Sequence, residues 1–100
     1  MGQHLGLQRE SAGGIEAFDE GRSVPPELFD LITEDAVCAR RIDPYADTLF
    51  VPAQLPALIS EFRAMASRAA TPSPRQGLEA VVGFLEEACR LRARVRFIGD

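Results

Sequence analysis

Two apolar stripes in residues 53–92 constrain this chain more than any other feature of its sequence. In each stripe the apolar side chains recur at intervals of three and four, the spacing of one face of an α-helix. The segment between them contains two prolines, and Ser73 and Gln76 have the spacing of a capping box that begins the second helix. Because the link is so short, the pattern predicts a hairpin of two antiparallel helices. The stripes comprise Leu55, Leu58, Ile59, Phe62, Met65, Ala66 and Ala69, then Leu78, Val81, Val82, Leu85, Ala88, Cys89 and Arg92.

The remainder of the chain shows mainly the period-two alternation that is typical of strands. The segment Ser11-Ala12-Gly13-Gly14 is a turn signal that predicts a β-hairpin. We predict a short helix over residues 25–32, where a proline suits the first turn. The fold class is therefore α+β, a single domain in which a small antiparallel sheet is covered on one face by the helix hairpin. The 100 residues suit one such domain. The predicted strands lie at residues 3–9, 14–18, 36–42, 48–50 and 94–98, so that residues 1–52 are mostly strands and residues 93–100 form a C-terminal strand.

The distribution of charge narrows the classes of partner. The chain has 15 acidic residues and 11 basic residues, all of them arginine, for a formal net charge of −4. Residues 1–50 hold ten acidic residues and four arginines, a net charge of −6, whereas residues 51–100 have a net charge of +2. A negative protein is a poor general ligand for nucleic acid. An acidic half can steer a basic protein partner, but the favoured interpretation is a solvated surface that keeps the protein soluble.

The sequence also bears on location. No apolar run approaches the roughly 20 residues that cross a bilayer. The start of the chain has no basic segment followed by an apolar one, as a secretion signal would. We therefore expect a cytoplasmic protein with no membrane segment.

Residues 42–50 form the densest block of polar, turn-forming and aromatic side chains. The segment Asp43-Pro44-Tyr45-Ala46 has the composition of a β-turn, and Asp43 and Thr48 can stabilise it through hydrogen bonds with the backbone. The same residues could instead form a protein-contact surface or a site for acid–base or metal chemistry. The candidate binding residues are Asp43, Tyr45, Asp47, Thr48 and Asp100.

The sequence offers no pattern for a cofactor. The single histidine, His4, has no cysteine near it, and Cys38 and Cys89 lack the spacing of metal ligands. Asp43 and Asp47 provide too few oxygens for calcium. With no phosphate-binding loop and no nucleophile elbow, we predict no cofactor, no metal and no catalytic residue. An enzyme built only on Asp, Glu, Tyr and Arg stays an open alternative.

One basic cluster lies near the C-terminus, at Arg90, Arg92, Arg94 and Arg96. The last three alternate with apolar residues, which predicts a strand with one basic and one apolar face. Such a face could contact nucleic acid, although no aromatic or glycine residues are interleaved with it. Ion pairs with the acidic half of the chain, or with the acids of a partner, are the favoured use.

Residues 42–50 resemble a motif of small uncharacterised bacterial proteins of about this size. That motif reads Ile, Asp or Asn, Pro, Tyr, Gly or Gln, Asp, Thr, Val, Phe and Asn, and those proteins tend to end in an aromatic residue followed by Ile-Gly-Asp. This chain ends Phe97-Ile98-Gly99-Asp100 and departs from the motif at Ala46, where glycine is usual, and at Val51, where asparagine would cap the next helix. The resemblance implies one domain that ends at Asp100, and it implies no activity.

Three hypotheses for function follow. The first is a small non-catalytic cytoplasmic protein, regulatory or immunity-like, that binds another protein or a second copy of itself, since sheet edges can pair. The second is a small-ligand binder or minor enzyme that uses the carboxylates of residues 42–50 together with Asp100. The third is a nucleic-acid accessory protein that uses Arg90 to Arg96.

Overall fold

The fold is α+β, as the sequence predicts: a four-stranded antiparallel sheet carries helices on one of its faces. The computed structural model describes residues 5–18, 24–25, 28–34, 36–43 and 45–99. Its strands are β1 (Gly6–Ser11), β2 (Gly14–Ala17), β3 (Thr48–Phe50) and β4 (Arg94–Ile98). Its α-helices are α1 (Leu28–Leu31), α2 (Leu55–Arg68) and α3 (Pro72–Arg90), with 3-10 helices at Ala39–Arg41 and Pro52–Gln54.

The last strand lies in the interior of the sheet. The strand order is β2-β1-β4-β3, and every neighbouring pair is antiparallel. Val95 of β4 is opposite Arg9 of β1 on one side and opposite Phe50 of β3 on the other. Strand β4 therefore joins the N-terminal hairpin to the central segment of the chain.

The hairpin of β1 and β2 forms at the turn that the sequence indicates. Ala12 and Gly13 occupy the turn, and Gly14 has a φ of +122°. A residue with a side chain rarely adopts this backbone conformation, so the position favours glycine. Residues 3 and 4 of the predicted first strand lie outside the described residues.

Phe97 is the centre of the core. Its ring lies edge-on to Phe50 of β3, with the centroids 5.7 Å apart, and stacks on Phe62 of α2 at 5.9 Å. All three rings are fully buried. Rings packed in this way contribute about 0.5–1.5 kcal/mol per pair beyond the area that they bury. This cluster therefore attaches the sheet to the helix layer.

The helix hairpin is present, and its two helices bury the predicted stripes with two exceptions. Cys89 is half-buried, and Arg92 is exposed and lies beyond the end of α3. Helix α3 also begins earlier than predicted: Thr71, not Ser73, is its N-cap, and Pro72 opens its first turn. Proline suits that turn because its missing N–H would have no partner there.

Arg92 interrupts the pattern because the helix ends in a Schellman motif. The N–H of Ala93 donates to the Ala88 carbonyl at 2.8 Å, and the N–H of Arg92 donates to the Cys89 carbonyl at 3.2 Å. This motif requires a left-handed residue between helix and strand, and Arg92 has a φ of 54°. The arginine thus occupies a position where glycine is commonest.

The predicted strand at residues 36–42 is wrong. The segment contains the 3-10 helix Ala39–Arg41, and its buried residues are Cys38, Ala39 and Ile42. The alternation in the sequence was built largely on alanine and arginine, which favour strands weakly. The backbone N–H groups at the start of this segment also bond to a side chain of α2, described below, and so do not form a sheet ladder.

Two further differences concern the helices. The predicted helix at residues 25–32 is reduced to α1 in the described residues, and Pro26 and Glu27 lie outside them. The first apolar stripe predicts a helix over residues 53–70, and helix α2 is shorter at both ends. Pro52–Gln54 form a 3-10 turn before it, and Arg68 is its last residue. Across the described ranges, no helix combines the length and the apolar character that crossing a bilayer would require.

Two glycines of α3 give a matched test of this packing. A Cβ on Gly77 would clash with the ring of Pro25, with Cδ only 3.2 Å away, whereas a Cβ on Gly83 would contact nothing within 4 Å. We expect Gly83→Ala to raise the free energy of unfolding by about 0.5–1 kcal/mol through helix propensity. We expect Gly77→Ala to lower it by about 1–3 kcal/mol through overpacking. Urea denaturation of both variants checks this, and an equal gain in the two would contradict the packing of Pro25 on α3.

Candidate functional site

The polar side chains of residues 42–50 hold a loop together. The Asp43 carboxylate, through Oδ1, accepts the N–H of Tyr45 at 2.8 Å. The Thr48 hydroxyl accepts the N–H of Asp43 at 3.1 Å and donates to the carbonyl of Arg41 at 3.3 Å. Thr48 is buried although it is polar. These bonds are the local side-chain-to-backbone bonds that stabilise turns.

The end of the chain packs against this loop. The N–H of Ala46 donates to the Asp43 carbonyl at 3.4 Å, the bond of a β-turn, and the N–H of Gly99 donates to the Ala46 carbonyl at 3.2 Å. A Cβ on Gly99 would lie 2.6 Å from the Ala46 carbonyl oxygen and 2.8 Å from that of Asp43. The end of the chain and the loop of residues 43–46 are therefore in contact, and glycine is required where they meet.

The other candidate binding residues are not drawn into one pocket. Tyr45 is 70% exposed, and Asp47 is exposed. Asp100 and Pro44 lie outside the described residues. The structure thus brings Asp43 and Thr48 together with Gly99, whereas the Tyr45 and Asp47 side chains face solvent.

Glu61 of α2 has a role that sequence analysis missed. Its carboxylate accepts the N–H groups of Val37 at 3.1 Å, of Cys38 at 3.1 Å and 3.2 Å, and of Ala39 at 2.7 Å. The first N–H groups of a helix have no partner within it, and here a charged side chain 22 to 24 residues away supplies one. No pattern in the sequence could show this, because Glu61 lies off the apolar stripe and looks like any solvated acid.

Cys38, beside Glu61, is unsuited to nucleophilic chemistry. Its thiol is buried, and burial together with the charge of Glu61 raises the pKa of Cys38 above its usual range. The reactive form of cysteine is the thiolate, which this environment disfavours. Among the residues that the structure describes, no group of three or more His, Cys, Asp or Glu side chains has the arrangement of a metal site.

The four arginines near the C-terminus fall into two kinds. Arg90 pairs with Glu87 in α3, and Arg94 pairs with Glu10 of β1. The second pair is one of those expected between the arginines and the acidic half of the chain. Arg92 and Arg96 are exposed, and no ion pair joins either of them to another described residue.

The outer face of the sheet, the face opposite the helices, is uncovered in the described structure. Strand registers place its side chains in three rows across the strands. One row runs Ile15, Glu10, Arg94, a second runs Ala17, Gln8, Arg96, Leu49, and the third pairs Gly6 with Ile98. Ile15 is 67% exposed and Leu49 39% exposed. A solvated face is common in antiparallel sheets, but this one carries large apolar side chains at both edges and an arginine between them.

Among the grooves lined by described residues, two lie on the helix layer, away from residues 42–50. The larger, of about 480 Å³, runs between α2 and α3 and is lined by Arg63, Arg75, Glu79 and Glu86, among others. Within it Arg63 pairs with Glu86. The smaller, of about 160 Å³, lies between α2 and the segment that follows α1, near Glu61. Neither groove is lined by a candidate residue of the central segment.

The sequence matches no protein-family model, no curated protein and no solved structure.

The contact between Gly99 and the loop gives a first prediction for this region. Gly99→Ala should lower the free energy of unfolding by about 1–3 kcal/mol, because the added methyl group meets backbone atoms that cannot turn aside. Gly13→Ala is the matched control, since its Cβ would meet only Ser11 Oγ at 3.7 Å. Chemical denaturation measures both, and an unchanged stability for Gly99→Ala would contradict the contact.

Glu61 gives a second prediction. Glu61→Ala leaves three backbone N–H groups without their acceptor and should cost about 2–3 kcal/mol of stability. Glu61→Gln keeps one acceptor oxygen and should cost less, about 1–2 kcal/mol. Glu79→Ala, an exposed acid on α3, should change stability by less than about 0.5 kcal/mol. Equal effects for the alanine variants of Glu61 and Glu79 would show that Glu61 is only a solvated side chain.

Proposed function

We propose that this chain is a small, non-catalytic protein-binding module of the cytoplasm, with a regulatory or immunity-like role. The observation that carries the proposal is the uncovered outer face of the sheet. Ile15 and Leu49 expose apolar area at its two edges, and Arg96 stands beside Leu49 with no ion-pair partner among the described residues. Arginine is enriched at protein interfaces, and the buried core of an interface is more apolar than the rest of the protein surface.

The charge of this face suggests the kind of surface that it contacts. Arg94 and Arg96 outnumber Glu10, so the face has an excess of one positive charge in a protein whose formal net charge is −4. A partner that presents apolar side chains and a carboxylate opposite Arg96 would be complementary. We also propose that the chain is related to the small bacterial proteins whose motif residues 42–50 resemble.

The two alternatives rank below it. For a ligand site on residues 42–50, the oxygens of Asp43 and Thr48 already bond to the loop backbone. The exposed Tyr45 and Asp47 line neither of the two grooves on the helix layer. A nucleic-acid surface would have to rely on Arg92 and Arg96, since Arg90 and Arg94 are paired with acids.

A pull-down from an extract of the source cells tests the proposal. Wild type and the control Glu79→Ala, on the opposite layer, should retain one stoichiometric protein that the double variant Leu49→Ser/Arg96→Ala loses. The loss should be at least about tenfold, as expected for truncating an apolar anchor and an arginine. Circular dichroism establishes that each variant is folded. Retention by the double variant would move the surface elsewhere, and no partner for any of the proteins would argue against a binding module.

A further inference from the structure

Strand β2 forms one edge of the sheet, and its backbone shows which groups face outward. The N–H of Phe18 donates to the Leu7 carbonyl at 2.6 Å, which makes Leu7 and Phe18 a hydrogen-bonded pair of the β1–β2 ladder. Bonded and non-bonded pairs alternate along an antiparallel ladder. The pair Arg9 and Glu16, two positions further along, is therefore also of the bonded kind.

It follows that Ile15 and Ala17 belong to the non-bonded pairs. Their N–H and C=O groups point away from β1, along the outer edge of the sheet, and no other described residue bonds to them. All four residues of β2 are exposed. Proline, lysine and other charged side chains commonly protect edge strands; β2 has neither proline nor lysine, and Glu16 is its one charged residue.

The one charged residue of β2 is turned to the other face. Glu16 accepts a hydrogen bond from Arg9 Nε at 3.0 Å, and its side chain is still 62% exposed. Ile15 and Ala17 alternate with it and lie on the outer face. An added strand would therefore meet apolar side chains on one face and a carboxylate on the other.

We infer that the edge of β2 receives an extended segment of a partner protein in which apolar and basic residues alternate. The segment's apolar side chains would lie beside Ile15 and Ala17, and a basic side chain would reach Glu16. Backbone hydrogen bonds to an edge strand provide affinity in this mode, and side chains provide selection. The inference rests on the proposed function and names a second contact of the same module.

Charge favours such a segment over a second copy of this chain. Residues 1–50 have a net charge of −6, and the sequence continues after β2 into Asp19 and Glu20. Pairing β2 with itself would bring two acidic halves together and set Glu16 near its own counterpart. Like charges in neighbouring positions destabilise strand pairs.

A synthetic probe tests the inference on the full-length protein. The probe is a short end-capped peptide of alternating valine and arginine, and the comparison peptide replaces arginine with glutamate. In the protein alone, the Ile15 and Ala17 amides should exchange with solvent faster than the Glu16 amide. The probe should slow the exchange of the Ile15 and Ala17 amides by about tenfold or more, and the glutamate peptide should leave it unchanged. Added salt should weaken the binding of the probe.

One protein position separates backbone from side-chain effects. Ala17→Pro removes an outward N–H while leaving the β1 ladder bonded, since edge strands tolerate such a proline. Ala17→Val keeps the N–H and is the matched control. We expect the proline variant to bind the probe at least about tenfold more weakly and the valine variant to bind it normally. Methylation of the probe's backbone nitrogens on the pairing edge should abolish binding to wild type, which tests the same bonds without altering the protein.

Several results would overturn the inference. These are equal binding of both peptides, unchanged binding by Ala17→Pro, and no change in exchange at Ile15 and Ala17 with saturating probe. A dimer of the protein alone that Ala17→Pro dissociates in sedimentation would assign the edge to a second copy. A native partner that Ala17→Pro retains and Leu49→Ser/Arg96→Ala loses would overturn the edge contact while leaving the proposed function in place.

Discussion

The position of β4 between β1 and β3 is the constraint on which the rest of the fold depends. A strand near the end of the chain must pair with one near the beginning and with one from the middle. Phe97 then brings Phe50 of β3 and Phe62 of α2 into one cluster, and Gly99 holds the loop that begins at Asp43. Because these contacts span the chain, no single segment can reach its final structure alone.

Residues 42–50 illustrate how a conspicuous motif can be explained by structure. Ile42 and Phe50 are core residues, Thr48 is buried and bonded to backbone atoms, and the Asp43 carboxylate accepts a bond within the turn. The exposed members, Tyr45 and Asp47, are available for contact but are not gathered in a cleft. The uncovered sheet face and the edge of β2 instead expose three features: apolar side chains, an arginine, and backbone groups that point outward. These three features are the ones on which the proposed contact with a protein partner rests.

Much of the fold could be predicted from local patterns. The hairpin of α2 and α3, strands β3 and β4 and the turn between β1 and β2 follow from periodicity and turn residues, which act over a few neighbouring positions. The two main failures have causes of different range. Residues 36–42 alternate as a strand does, yet the distant Glu61 accepts N–H groups of this segment. Arg92 alternates with Arg94 and Arg96, yet the adjoining end of α3 places it in a left-handed turn.

By itself, the sequence determined the α+β class, the helix hairpin and the acidic first half, because periodicity and charge are properties of neighbouring residues and of sums over them. It identified the candidate residues of the central segment but did not show which of them bond within the loop and which are exposed. Tertiary structure alone decided that Glu61 caps a distant 3-10 helix, that Gly99 meets the loop of Asp43 and Ala46, and that Ile15, Leu49 and Arg96 share one uncovered face. Strand order and register set these contacts, and they depend on pairings between residues far apart in the chain.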